Sequence, residues 1–279
     1  MKIKELINNG IQKLRKNNID NCNMIAQLLL VKLLNLSKIE IIKKYEEQIN
    51  QELVDEYEIM INKIIEGKPL QYITNEQYFY ANKFYVDENV LIPQPDTEIL
   101  IEEIMNVIKS FKDKENITIL DMCTGSGCIG ITLAKNIKNS KVTLADISKE
   151  ALEIAKKNAK ENNIKVEFIE SNMFENIKEK YDIIVSNPPY IETKIIKTLS
   201  KEVQNEPMLA LDGGQDGLKF YKILALEAYK HLNKNGFLCM EIGYNQKQAV
   251  TKILEETKKY KNIYSKKDLS GNDRIIISD

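Results

Sequence analysis

The chain has one histidine, no tryptophan and only two arginines among its 279 residues. With His231 alone, a tetrahedral zinc site lacks its ligands and no histidine stands ready as a general base; it reads as a surface residue on a helix. Arg15 and Arg274 leave bidentate recognition of phosphate or guanine almost without donors. Lys plus Arg number 40 against 41 Asp plus Glu, a net charge of -1, which excludes a strongly cationic nucleic-acid binder. The four cysteines, Cys22, Cys123, Cys128 and Cys239, form no CxxC pair and read as reduced thiols of a cytoplasmic protein. Apolar runs such as Leu28 to Val31 fall far short of the ~20 residues a membrane helix needs. Glu5 and Asn8 interrupt the start before an apolar leader builds up, so no secretory signal is expected. A monomer is the default expectation.

What is present is periodicity, and it changes twice. Residues 1–75 read as a small helical bundle, with Leu6, Ile7, Ile11 and Leu14, then Met24, Ile25, Leu28, Leu29 and Leu33, at helical spacing. Ser37 and Glu40 fit a capping box opening a third helix, and Ile61, Ile64 and Ile65 close a fourth before Gly67 and Pro69. Its charges nearly cancel, as suits a neutral interaction module or a solubilising scaffold, between which periodicity does not choose. Residues 76–96 read as a β-hairpin linker turning at Asp87-Glu88-Asn89, ended by Pro93-Gln94-Pro95, where no helix is expected. Residues 97–279 alternate helix and strand, with strands at Ile117–Asp121, Lys141–Asp146, Lys165–Ile169, Asp182–Ser186 and Gly236–Ile242 and a last pair near Ile263 and Arg274–Ser278. That is an α/β pattern, a mostly parallel sheet with helices on both faces.

In such sheets ligands bind outside the carboxyl ends of the strands. The first strand ends in Asp121-Met122-Cys123-Thr124-Gly125-Ser126-Gly127, a glycine turn that allows close backbone approach to a ligand, with Gly130 letting the next helix pack near the strand. The second ends in Asp146, a carboxylate placed to accept from both hydroxyls of a ribose. Adenosine binding follows; NAD, or a turn that is merely structural, stays open on this cluster alone. Asp121 in the mouth of the turn would repel a pyrophosphate and attract a sulfonium or ammonium, which favours S-adenosylmethionine.

The third cluster, Asn187-Pro188-Pro189-Tyr190, follows the apolar run Ile183-Ile184-Val185. Each proline holds the residue before it extended and brings no N–H. The corner therefore offers acceptors, the Asn187 side-chain oxygen and the Pro188 carbonyl, that match the two donors of a planar NH2 group, with Tyr190 supplying a ring face. An amide nitrogen is a poor nucleophile, and holding both its N–H bonds orients its lone pair for in-line methyl transfer. No base is needed before attack, because the proton becomes acidic only once the methyl is on.

With these residues in hand, the chain resembles the S-adenosylmethionine-dependent amino-group methyltransferases and, more closely, the HemK-type protein-(glutamine-N5) methyltransferases of peptide chain release factors. Gly67-Lys68-Pro69-Leu70-Gln71-Tyr72-Ile73, Val90 to Glu98, Glu206-Pro207 with Ala210-Leu211-Asp212-Gly213-Gly214, and Asp268 to Arg274 carry the closer likeness over most of the chain. The resemblance implies a seven-stranded, Rossmann-like catalytic domain preceded by a helical bundle and a hairpin. It implies cofactor contacts from Asp121, Thr124, Gly125, Gly127, Asp146, Asn172, Met173 and Asn187, and catalytic and substrate contacts from Asn187, Pro188, Pro189 and Tyr190. It further implies Phe79 and Gln94 at the pocket rim, and as substrate the glutamine of the Gly-Gly-Gln motif of release factors. Gln94 stands where the family commonly has arginine, Cys123 and Asn75 where it has glycine, and Asn172 where it often has aspartate. A glutamine methyltransferase of a ribosomal protein, an adenine-N6 DNA methyltransferase and a nucleoside-binding fold without catalysis are the rival readings.

Overall fold

A computed structural model describes residues 1–111 and 114–279. Two compact units divide them, Met1–Glu76 with Ser200–Asn205, and Gln77–Leu199 with Glu206–Asp279.

The smaller unit is helical: α1 (Ile3–Lys16), α2 (Cys22–Leu34), α3 (Lys38–Lys43), α4 (Gln51–Ile65) and a short α5 (Leu70–Thr74) that the periodicity did not reveal. Ser37 and Glu40 form the expected capping box at α3. Leu6, Ile7 and Leu14 of α1 pack with Leu29 and Leu30 of α2 and Tyr57 and Ile61 of α4 into one core. Tyr57 is fully buried, and its hydroxyl donates to the Ala26 carbonyl at 3.0 Å. Gly10 makes room for that ring, since a Cβ there would stand 2.5 Å from the Tyr57 hydroxyl oxygen. The Ser200–Asn205 segment joins this unit through Asn205, whose side-chain amide donates to the Gly67 carbonyl at 3.0 Å.

In the larger unit the hairpin comes first, β1 (Gln77–Phe79) and β2 (Asn82–Phe84), and its position corrects the expectation. The strands turn at Tyr80-Ala81, both at positive φ (48° and 59°), whereas Asp87-Glu88-Asn89 makes a separate turn beyond them. Neither Tyr nor Ala carries the turn signature that such a tight loop normally shows. Outside support holds it: the Tyr80 N–H donates to Glu98 at 2.8 Å, and Phe79 and Phe84, edge to face at 6.2 Å, are buried in the core. Phe79 is thus a core residue rather than part of a pocket rim. Pro95 also departs from expectation by opening a 3-10 turn (Pro95–Thr97) that leads into α6 (Glu98–Val107), a first-turn position where its missing N–H costs nothing.

Then come β3 (Ile117–Met122), α7 (Cys128–Asn136), β4 (Ser140–Asp146), α8 (Lys149–Glu161), β5 (Glu167–Glu170), β6 (Tyr181–Ser186), α9 (Lys219–Glu227), β7 (Leu232–Glu241), α10 (Lys247–Thr257), β8 (Tyr264–Lys267) and β9 (Asp273–Ser278). The seven-stranded sheet runs β5-β4-β3-β6-β7-β9-β8, with β9 antiparallel to both of its neighbours and the other pairs parallel. All six residues of β6 are buried, and Ile183 and Ile184 point into the separate cores on the two faces of the sheet. Strand β7 begins before Gly236 because a register shift lets Leu232 pair with Tyr181 ahead of the regular ladder. That places His231 just outside β7 rather than on a helix; it is half-buried and stacked on Phe174 with ring centroids 5.1 Å apart. After β3 the chain lays β4 and β5 to one side, and from β6 onward it builds to the other. The crevice at such a reversal is where this class of sheet binds ligands.

Gly10→Ala tests the packing of the helical unit. Alanine is the better helix former by about 1 kcal/mol, but the added methyl has to displace a buried, hydrogen-bonded ring, and overpacking costs about 1–3 kcal/mol. The variant is expected to unfold at lower urea concentration than wild type; a higher midpoint would mean that Tyr57 swings away freely.

Candidate active site

Four strand ends meet at the reversal, in the order β4, β3, β6, β7, and each carries a functional side chain. At β3, Asp121 is fully buried, and its Oδ2 accepts from the Thr124 hydroxyl at 2.5 Å and the Gly130 N–H at 2.9 Å. One carboxylate oxygen therefore ties both ends of the glycine turn together. Gly125 and Gly127 take positive φ (53° and 80°), and a Cβ at Gly125 would meet nothing within 4 Å, so the turn is open on that side. At Gly130 a Cβ would stand 2.1 Å from Leu144, which is why α7 lies so near β4. Among the described residues Asp121 Oδ1 has no hydrogen-bond partner, and burial pushes its carboxyl up to about 7. Asp146, at the end of β4, accepts the Gly125 N–H at 2.8 Å on Oδ2 and the Ser148 N–H at 3.0 Å on Oδ1, and burial raises its pKa too.

At β6, Asn187-Pro188-Pro189-Tyr190 leaves the sheet as a braced corner. The Tyr190 carbonyl accepts from the Gln246 side chain at 2.9 Å, the Ile191 N–H donates to Leu211, and the Gly213 N–H donates to Ile191. A Cβ at Gly213 would stand 2.7 Å from the Tyr190 Cα, so glycine there lets the Ala210 to Gly214 stretch lie against the corner. Two residues absent from the sequence reading complete the cluster. The Asn187 Nδ2 donates to the Thr97 hydroxyl at 3.4 Å, and that hydroxyl donates to Glu241 Oε2 at 2.6 Å. The Tyr190 hydroxyl donates to Glu241 Oε1 at 3.4 Å. Glu241, the last residue of β7, is buried, and its carboxyl is pushed up to about 7. The signal that finds it is the one used for the other strands, a polar side chain where a buried strand ends; Thr97, far away in sequence, gave none.

Beside these strand ends lies a cavity of about 400 Å³, within the range of small-ligand pockets. Thr124, Gly125, Asp146, Asn172, Met173, Asn187 and Pro189 line it, together with Thr97 and Gln94. Asp121, Gly127, Pro188 and Tyr190 do not: Asp121 lies under the turn, Gly127 caps α7, Pro188 is buried and the Tyr190 hydroxyl turns to Glu241. Gln94 is exposed, and its amide donates to the Ile92 carbonyl at 3.0 Å. Asn172 donates to Glu175 at 2.8 Å, and Met173 takes a φ of 49°. Three of the other stretches carrying the resemblance, Val90 to Glu98, Glu206 with Pro207 and Asp268 to Arg274, lie by the same place. Ile92 N–H donates to buried Glu206 at 2.9 Å, and Arg274 bridges Asp268 at 3.1 Å and Asp96 at 3.3 Å.

The methyltransferase small domain model matches residues 96–268, and the PrmC N-terminal domain model matches residues 5–74. A release factor glutamine methyltransferase of Fusobacterium nucleatum is 39% identical, covering 98% of this chain and 78% of its own length. One from Clostridium botulinum is 38% identical over 99% of this chain and 98% of its own. Among solved structures, a methyltransferase from Pyrococcus furiosus superposes with a TM-score of 0.52 at 20% identity, over 80% of this chain and 96% of that one, a likeness of fold.

The unpaired carboxylate has a stability consequence. A buried acid whose pKa lies above its unfolded value of 3.8 stabilises the fold while protonated and loses that contribution as pH rises from 3.8 to about 7. Asp121→Asn keeps an acceptor for Thr124 and Gly130 and has no charge to bury. Without ligand, it is expected to melt above wild type at pH values over 7 and to lose part of the decline between those limits. Parallel melting curves for the two proteins would refute it.

Proposed function

The chain belongs to the release factor glutamine methyltransferase family, and from that premise we propose that it methylates the side-chain amide nitrogen of the glutamine in the Gly-Gly-Gln motif of peptide chain release factors, with S-adenosylmethionine as methyl donor. What carries the reading to these residues is one cavity wall that holds the Asn187 side chain, the glycine turn and Asp146 together.

The residues fit the donor. Thr124, Gly125, Asp146, Asn172 and Met173 would hold its adenosine; each Asp146 oxygen takes one N–H and keeps lone pairs for the ribose hydroxyls. Asp121, with a buried and unpartnered oxygen, places a negative field under the turn, suited to a group bearing ammonium and sulfonium charges. When bound, S-adenosylmethionine supplies a methyl on cationic sulfur, and the C–S electron pair returns to sulfur as the methyl leaves.

The protein's part is positioning. Asn187 Oδ1 accepts one N–H of the glutamine carboxamide at the cavity wall, and the Pro188 carbonyl, whose residue is buried behind that wall, is the acceptor for the other once the substrate is seated; Pro189 and Tyr190 keep the corner stiff. Held so, the nitrogen faces the incoming methyl, and positioning of this kind supplies up to about 7–11 kcal/mol of barrier reduction. The methylated nitrogen is strongly acidic and passes its proton to water, so the chemistry asks nothing of His231, which is stacked elsewhere. The helical unit, nearly neutral in charge, serves as the docking surface for the release factor. We place the enzyme in the cytoplasm, which its four free cysteines suit, and have it act on protein rather than nucleic acid, in keeping with a net charge of -1 and two arginines.

Asn187→Ala is expected to lower kcat by roughly 10²-fold, about 3 kcal/mol, the loss typical of one preorganised polar partner of a transition state, while calorimetry shows S-adenosylmethionine binding intact. With labelled donor, methyl is expected on a release factor and not on its Gly-Gly-Ala variant, ribosomal proteins or duplex DNA. Label on either of the last two would move the assignment to a rival substrate, and full turnover by the alanine variant would remove Asn187 from its role.

A further inference from the structure

A carboxamide has two ends of nearly equal shape and opposite polarity, and only the oxygen of Asn187 can accept a proton from a substrate NH2 group. Something must decide which end faces the cavity. The Asn187 side chain touches the Thr97 hydroxyl, which is 1% exposed and has a single proton to give. Glu241 stands 2.6 Å from that hydroxyl. An ionised carboxylate has only lone pairs, so the Thr97 proton must point at Glu241. What Thr97 then shows Asn187 is a lone pair, which pairs with the NH2 end and repels the oxygen.

We propose that Glu241 and Thr97 are positioning residues that fix the orientation of the Asn187 carboxamide, turning its oxygen into the cavity so that the substrate amide finds an acceptor and never a donor. The proposal deepens the methyltransferase reading and rests on it. It is carried by the chain Asn187–Thr97–Glu241, whose members come from the corner just after β6, the turn before α6 and the end of β7.

The polarity of this chain depends on the charge of Glu241. Tyr190 donates to its Oε1, Arg274 from β9 attracts it and Asp96 repels it; Tyr221 of α9 donates to its backbone carbonyl at 3.0 Å. Buried Cys128 of α7, its thiol pushed up to about 12, stays neutral beside it. Burial outweighs the attraction of Arg274 and lifts the carboxyl to about 7. Once protonated, Glu241 can donate to Thr97, which frees the Thr97 proton to point at Asn187 and lets the amide turn over. The lock therefore holds above about pH 7 and loosens below it.

The test uses the full chain, S-adenosylmethionine and a release factor, with Thr97→Val, Thr97→Ser and Glu241→Gln compared to wild type. Thr97→Val and Glu241→Gln are expected to lose about 10- to 100-fold in kcat with little change in KM for the donor. Thr97→Ser, which keeps the hydroxyl, is expected to retain activity, and the fall in kcat below about pH 7 is expected to vanish in Glu241→Gln. A readout without turnover is the pair of Asn187 side-chain NH2 resonances, identified by their loss in Asn187→Asp. They should titrate with a midpoint near 7 in wild type and stay still in Glu241→Gln. Should Glu241→Gln fail to fold, the Thr97 pair decides. Wild-type protein that methylates no glutamine refutes the functional reading, and the resonances still decide the lock. Resonances indifferent to pH, or wild-type kcat in Thr97→Val, overturn the lock while leaving the functional reading standing.

Discussion

Taking a carboxylate out of water costs several kcal/mol unless it is fully partnered, yet this chain buries two of them at strand ends on either side of β6. Each is only partly compensated, and each spends its lone pairs on the groups that shape the cavity. Asp121 pins Thr124 and Gly130, which sets the glycine turn against the start of α7. Glu241 takes the Thr97 hydroxyl and faces Tyr190, which ties the turn before α6 to the double-proline corner. Burial lifts both carboxyls to about 7, and each holds a defined set of donors beside the cavity.

Stretches far apart in sequence meet here for identifiable reasons. Glu206 is needed where it is because the buried Ile92 N–H has to be satisfied, and Arg274 is held by Asp268 so that it can reach Asp96 and lend its charge to Glu241. Gly213 is small because the Tyr190 backbone passes over it. Asn75 and Cys123, where the resemblance led to the expectation of glycine, both adopt positive φ, 56° and 61°. Asparagine enters that region readily. Cysteine does so at a cost, and the neighbouring Thr124 N–H, bonded to the Ala145 carbonyl at 3.0 Å, helps to hold it there.

The parallel strands and their polar ends were legible in the sequence because both signals are local: a run of buried apolar residues and the first polar group after it. That logic leads to Asp121, Asp146 and Asn187 and applies equally to Glu241, which the reading passed over. The hairpin register was not legible, since Tyr80-Ala81 carries no turn signature and is held by Glu98 and two buried phenylalanines. Nor was the exchange by which Ser200–Asn205 packs with the helical unit, which rests on Asn205 meeting a carbonyl 138 residues earlier. Thr97 reads as an ordinary residue at a helix start; its importance comes entirely from a partner 144 residues away.

If Asn187 grips the substrate as proposed, a carboxamide recognises a carboxamide, and a chain made only of side-chain amides and hydroxyls leaves the orientation of both ambiguous. Every such group both donates and accepts, so a chain of them can reverse all its bonds at once. Resolution requires an end group of one polarity. A carboxylate accepts only, and fixes each bond behind it to run toward itself: Asn187 to Thr97, Thr97 to Glu241. Had β7 ended in lysine or arginine, which only donate, the same chain would run the other way and present the Asn187 nitrogen to the cavity. Such a corner would suit a carbonyl and reject an NH2 group. On the proposed reading, the sign of one buried charge, two hydrogen bonds from Asn187 and three from the substrate, selects which end of the Asn187 amide faces the cavity.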